Sequence, residues 1–185
     1  MLHISSINIY WTGGNKLNTL PLNYGSTSGY RTLTSGVREV QVKANLTNKL
    51  LTANTIKVKQ DSSYSFFVYE TTNTVTSVIG FDDLSVPSTG NAKIRLVNLS
   101  AGLSSADLLI TNGPELASSI SFGSIGTYQE LKAGTYNFDL RLHGSKNILT
   151  TIPNVRLDNS KTYTIWSGGT VTGNSKTIST QIINQ

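Results

Sequence analysis

The chain has 185 residues, a formal net charge of +5, no cysteine, 37% hydrophobic and 14% charged residues. That is apolar enough for packed cores and too weakly charged for a disordered chain, and the missing cysteines exclude disulfides and thiolate metal sites. The basic residues are scattered, with Lys57 and Lys59 the densest pair; a phosphate-tracking groove needs a denser stripe interleaved with stacking aromatics, so nucleic acid is not an expected partner.

Ser, Thr and Asn supply much of the polarity, and these short side chains suit strand surfaces and turns better than helix interiors. No window has a helical period, and no apolar run approaches the ~18 residues of a transmembrane helix. The opening Met-Leu-His-Ile-Ser-Ser lacks the basic region and apolar core of a signal peptide. For an exported protein, the signal or a lipid anchor would therefore lie upstream.

In chain order, Ile7, Ile9 and Trp11 alternate as the inward side of a first strand and turn Tyr10 outward, before turn glycines Gly13 and Gly14. A segment carrying Gly25, Tyr30, Leu33 and Gly36 leads to a strand with Val40 and Val42 inward. Further on, Tyr64, Phe66 and Val68 face inward, leaving Phe67 and Tyr69 outward. Asp82 and Asp83 read as solvated charges ahead of a Pro/Ser/Gly linker at 86–90. Beyond it, strands are predicted at 92–98, 105–111, 118–122, 127–131, 135–142, 147–157, 161–168 and 176–183, with turns at 112–114, 133–134, 143–145 and 158–159.

These elements occur twice. Residues 22–43 align without a gap on 120–141, at a spacing of 98 that sets Gly25 on Gly123, Ser26 on Ser124, Tyr30 on Tyr128, Leu33 on Leu131 and Gly36 on Gly134. Residues 56–68 align on 155–167, and 6–17 on 105–116, at a spacing of 99. The chain therefore reads as two tandem antiparallel β-sandwich domains of immunoglobulin-like or prealbumin-like type: copy one at 1–85, a linker at 86–90 and copy two at 91–185. The strand at 92–98 has no partner in copy one, whose first strand is apparently missing. The vacant edge would accept a strand from another chain, as an edge-paired dimer, or from the chain's own 176–183.

Copy two resembles the bacterial family called domain of unknown function 4397. The resemblance rests on 92–100, 106–110, Phe122 with Gly123, Tyr128, the Leu-Lys-Ala-Gly-Thr-Tyr run ending at Tyr136, and 161–165; copy one follows it more loosely, with Ser-Gly-Val-Arg at 35–38 in place of Ala-Gly-Thr-Tyr. It implies an exported protein, often a surface lipoprotein of Bacteroidetes-type bacteria with tandem copies, and no established activity.

Little in the chain suggests chemistry. His3 and His143 fall at unrelated places and read as surface or turn histidines, short of the three or four convergent ligands of a zinc site. No serine sits in a Gly-x-Ser-x-Gly elbow, and Gly13-Gly14 and Gly168-Gly169 read as turns without the lysine of a phosphate loop. No catalytic residue, metal or cofactor is expected. The best lead is aromatic: Phe67 and Trp166 occupy matching outward positions, and with Tyr10 they would form a sugar-stacking platform, a partner interface or a domain contact. The covered alternative is that a neighbouring strand or loop buries them. Tyr30 and Tyr128 are expected to tie down a turn through their hydroxyls. The reading is a non-catalytic module of the cell surface or periplasm, outer-membrane-associated, that is structural or adhesive and binds an unidentified protein or glycan. The alternative is a carbohydrate-binding module acting through exposed Tyr10, Phe67 and Trp166.

Overall fold

The computed structural model describes residues 5–172 and 175–185, so the predicted surface position of His3 lies outside the described residues. Among them there are strands and no helix, and the chain divides into two compact units, Met1–Asp82 and Asp83–Gln185.

Unit 1 begins with β1 (Ile7–Trp11), β2 (Asn15–Lys16), β3 (Gly36–Ala44) and β4 (Leu50–Val58), which form an antiparallel sheet in the order β2-β1-β3-β4. Its alternation turns Ile9, Trp11, Val40 and Val42 into a common core, against which Phe66 and Val68 of β5 (Ser63–Glu70) pack; β5 pairs with β6 (Val75–Asp82) as a separate hairpin. The period-2 pattern dictates this arrangement, because a strand can bury only every second side chain against one layer.

Unit 2 opens with β7 (Asn91–Asn98) and β8 (Ser105–Ile110), followed by β9 (Glu115–Ser121), β10 (Ser124–Ile125), β11 (Gln129–Lys132), β12 (Gly134–Leu142), β13 (Ile148–Leu157), β14 (Thr162–Thr172) and β15 (Ser175–Asn184). One sheet runs β13-β12-β8-β9. The other runs β10-β7-β14-β15, with β11 also on β7. Ile94, Leu96, Leu108, Phe138, Leu140, Leu157 and Ile165, all but fully buried, fill the space between the two sheets. Each such side chain contributes about 1.5–3 kcal/mol relative to exposure.

The order β2-β1-β3-β4 in unit 1 is that of β9-β8-β12-β13 in unit 2, and the β5-β6 hairpin corresponds to β14-β15. The aligned glycines Gly25 and Gly123 both hold a left-handed backbone, with φ of 77° and 74°, which explains why that position is glycine in both segments.

Three expectations need correction. The sheets are antiparallel with one exception: β7 runs parallel to β14, from Thr162 opposite Lys93 to Ser167 opposite Asn98. The 176–183 strand does not close the edge of unit 1; as part of β15 it pairs along the length of β14. Gly168 and Gly169 do not form a turn but lie inside β14, where Gly169 takes φ +91° and a Cβ would meet the Thr177 carbonyl oxygen at 1.8 Å. Gly169→Ala is therefore expected to destabilise the chain by about 2 kcal/mol or more, combining backbone strain with a backbone clash. Gly14→Ala, with φ +83° but nothing within 4 Å, should cost less. Denaturant unfolding of the two variants checks the ranking.

Candidate functional site

The candidate aromatic residues are divided between the units, Tyr10 and Phe67 in unit 1 and Trp166 in unit 2. Ile9 and Trp11 point into the unit 1 core, so Tyr10 projects from the opposite face of its sheet, where the Lys43 ammonium sits 4.8 Å from its ring centre. Phe66 and Val68 meet that core from the other layer, so Phe67 points away from Tyr10. Both are half-buried. Trp166, read as outward with cover by a neighbouring strand or loop as the alternative, is 8% exposed. It lies on β14, which runs between β7 and β15 and is buried on both faces from Thr162 to Gly168. Within unit 1 Tyr10 and Phe67 thus share no face, and within unit 2 Trp166 is covered.

The organised polar chemistry lies elsewhere, at equivalent places in the two units. In unit 2 the Tyr128 hydroxyl donates to Gln185 Oε1 at 2.5 Å, and Thr164 donates to the same oxygen at 3.0 Å. In unit 1 the Tyr30 hydroxyl donates to Asp82 Oδ2 at 2.7 Å, and Ser65 donates to it at 2.8 Å. Ser65 and Thr164 are aligned at the spacing of 99, and Asp82 and Gln185 each stand opposite the start of the preceding strand, Ser63 and Thr162. Each tyrosine thus fastens its loop to the end of the last strand of its unit, a longer reach than the local turn expected of it. Unit 2 adds Arg95 from β7, whose Nε donates to Thr164 Oγ1 at 2.9 Å while its guanidinium lies 4.5 Å from the Tyr128 ring centre.

A second pair of clusters sits on the outer face of the β1 and β8 sheets. Asp107, 1% exposed, accepts from Arg141 Nε at 3.0 Å and from the Ser119 amide at 2.8 Å, and lies 2.8 Å from His143 Nδ1; Arg141 also reaches Glu115. Burial pushes the Asp107 carboxyl up, but the Ser119 amide, His143 and Arg141 together outweigh it and hold the group below the usual carboxylate range. In unit 1 the aligned residue is neutral Asn8, bonded to Asn45 (2.9 Å) and Asn18 (3.0 Å), and Asn45 aligns with His143. His143 sits in an exposed turn, as the sequence reading has it, and its contact with Asp107 ties the β12–β13 turn to β8.

Asp82 and Asp83 are not solvated linker charges. Asp82 ends β6 and is 2% exposed, whereas Asp83 forms a 2.7 Å ion pair with Lys93 of β7. Hydrogen bonds from Lys93 and Ser85 lower the Asp83 carboxyl to about 2. Among the described residues no three His, Asp or Glu side chains gather as metal ligands. The Tyr30–Tyr128 alignment was the legible signal of these clusters; Asp107, Asn8 and Gln185 were missed because a polar residue at an outward strand position looks solvated in the sequence.

This geometry carries three predictions. Tyr30→Phe and Tyr128→Phe should each cost about 1 kcal/mol, the net worth of a side-chain hydrogen bond, and the Tyr30 change somewhat more because its partner Asp82 stays buried, measured by denaturant unfolding. The lowered carboxyls contribute stability that is complete above the ordinary carboxylate range. It is lost as pH falls, for Asp83 between about 3.8 and about 2 and for Asp107 as its own lowered value is crossed. Melting temperature against pH should therefore fall less steeply in acid for Asp83→Asn and Asp107→Asn than for the parent chain. Pairing Asp107→Asn with His143→Asn, which imitates unit 1, should cost less than the two single changes added together.

A crystal structure from Bacteroides fragilis NCTC 9343, of a protein proposed to act in cell adhesion, matches 95% of this chain and 82% of its own at 10% identity. Its TM-score of 0.30 is too low to establish a shared fold. No curated protein matches the chain. The model of the family described as Domain of unknown function (DUF4397) matches residues 3–109, which run through unit 1 and into β7 and β8. The residues that carried the resemblance in the sequence, from 92 to 165, overlap that match only over 92–109, so the match lies mainly on the copy read as the looser one. Covering more than half of the chain, it shows that the protein belongs to the DUF4397 family.

Proposed function

We propose that the chain is a non-catalytic module of the bacterial cell surface or periplasm, made of two copies of one β-sandwich, with a structural or adhesive role toward protein or glycan partners. The observation that supports this best is the use to which its polar groups are put. Asp107, His143 and Arg141 in unit 2, and Asn8, Asn18 and Asn45 in unit 1, bind one another across neighbouring strands and turns. Nearly every buried side-chain donor or acceptor is satisfied, with Thr111 Oγ1 the exception among the described residues. Groups bound in this way stiffen a scaffold, whereas a catalytic site needs a nucleophile and a base facing a shared cleft. On this reading binding is set by loops and strand edges on a rigid framework.

The carbohydrate-binding alternative loses its main support with the burial of Trp166. Export and outer-membrane association belong to the same proposal. The test is antibody labelling of intact cells of the native host together with a glycan array and Tyr10→Ala and Phe67→Ala variants. Surface labelling with a silent array is the expected result. Saturable glycan binding lost in either variant would put carbohydrate recognition in front, and a purely cytoplasmic protein would overturn the reading.

A further inference from the structure

The two four-stranded sheets end in β2, β4, β9 and β13, and three of these edges are blunted. β2 is two residues long. β9 shifts register twice against β8 and holds Ser119 in a left-handed backbone, φ 55°. β13 carries Pro153, which has no amide hydrogen to offer a neighbour, followed by Asn154 at φ 56°, and the pair bulges opposite Asn137. β4, which holds in unit 1 the place of β13, is plain. From Thr52 to Val58 it keeps one register against β3, without proline, bulge or left-handed residue. Among the described residues its backbone bonds with β3 alone, so the row of amides and carbonyls along its other side is open.

Sheets blunt their edges to stop unwanted pairing, so an edge left regular where its counterpart is blunted is one free to pair. We propose that β4 pairs with β4 of a second molecule of this chain, antiparallel and across a two-fold axis, which joins the two unit 1 sheets edge to edge. When a strand meets its own copy in this way the axis passes through a residue. Thr55 is the middle of 52–58, and an axis there uses the whole regular stretch. Thr55 of one molecule then faces Thr55 of the other, Asn54 faces Ile56, Ala53 faces Lys57 and Thr52 faces Val58.

The side chains suit that register. Ile56 and Val58 reach the unit 1 core and Asn54 Nδ2 donates to Ser77 Oγ of β6 at 2.6 Å, so β4 is held in place before any neighbour arrives. Ala53, Thr55 and Lys57 are exposed, on the other face of the sheet. Lys57 is the one charged residue in β4, and like charges set opposite each other across a pair repel. With the axis at Thr55, Lys57 lies against the small Ala53, which leaves room for the lysine stem, and threonines facing across a pair are favourable. An axis at Asn54 would set Lys49 against Lys59, and one at Ala53 would set Lys49 against Lys57. In the Thr55 register the edge is its own complement, as a two-fold contact requires. Main-chain hydrogen bonds supply the affinity and the lysines select the register.

Sedimentation of the full chain should give a monomer–dimer equilibrium with a Kd on the order of micromolar. Ala53→Lys, which meets Lys57 of the other molecule, should weaken it about tenfold, and Ala53→Glu should tighten it about threefold, both effects fading with added salt. Circular dichroism checks that the two variants, changed at an exposed position, remain folded. Because the chain has no cysteine, Thr55→Cys introduces a single thiol on the axis. Under mild oxidation it should give a covalent dimer about tenfold faster than Ser179→Cys, an exposed position on β15. A chain that stays monomeric up to about millimolar concentration would overturn the proposal. So would a dimer that responds alike to both Ala53 changes, or one whose disulfide forms no faster at Thr55 than at Ser179.

Discussion

Much of unit 2 depends on the seating of β7 between a parallel neighbour on one side and two short antiparallel strands on the other. A strand with neighbours at both edges has few unpaired backbone groups left to satisfy, and β7 is buried along nearly its whole length. Its pairing keeps 124–125 and 129–132 extended, brings Arg95 to Tyr128, and places Lys93 against Asp83. In unit 1 the segments aligned with β10 and β11 form no strands and, among the described residues, pair with no such neighbour, while the four-stranded sheet keeps its order. That sheet is set by its own alternating pattern and hairpins, whereas the second layer depends on β7.

The clusters around Asn8 and Asp107 solve one problem with different chemistry. Each fills an outward, covered position in the middle of a sheet with a polar side chain that ties together a strand, a neighbouring hairpin and a turn. Asparagines do this without charge. The Asp107 version sets a carboxylate against Arg141 and His143, which makes it stronger in place but more damaging to break, since an unpaired buried charge costs several kcal/mol. The two units thus hold a similar geometry at these places with different responses to acid.

The strands were legible from alternation: Tyr136, Phe138 and Leu140, or Ile7, Ile9 and Trp11, can bury one face only as strands. The similarity of the two halves was legible because Gly25 and Gly123 need the same backbone and Tyr30 and Tyr128 the same tie. Three things were hidden. Trp166 reads as outward by parity, and it is; parity cannot tell that the outer face of β14 is covered. The direction of β7 leaves no mark in its composition, since parallel and antiparallel strands draw on the same residues. Asp82 looks solvated next to a Pro/Ser/Gly stretch, and the distant Tyr30 and Ser65 show that it is held.

The same register has a mechanical consequence for unit 2. Because β7 and β14 run in one direction and β15 returns, Lys93 and Gln185 both bond to the beginning of β14, Lys93 to the Lys161 carbonyl and Gln185 to that of Thr162. Their positions are two strand spacings apart, about 10 Å. A pull applied at these two points would peel β7 and β15 from β14 one hydrogen bond at a time rather than shear them all at once. Unit 2 would therefore yield to tension at these two points sooner than a sandwich loaded from opposite ends.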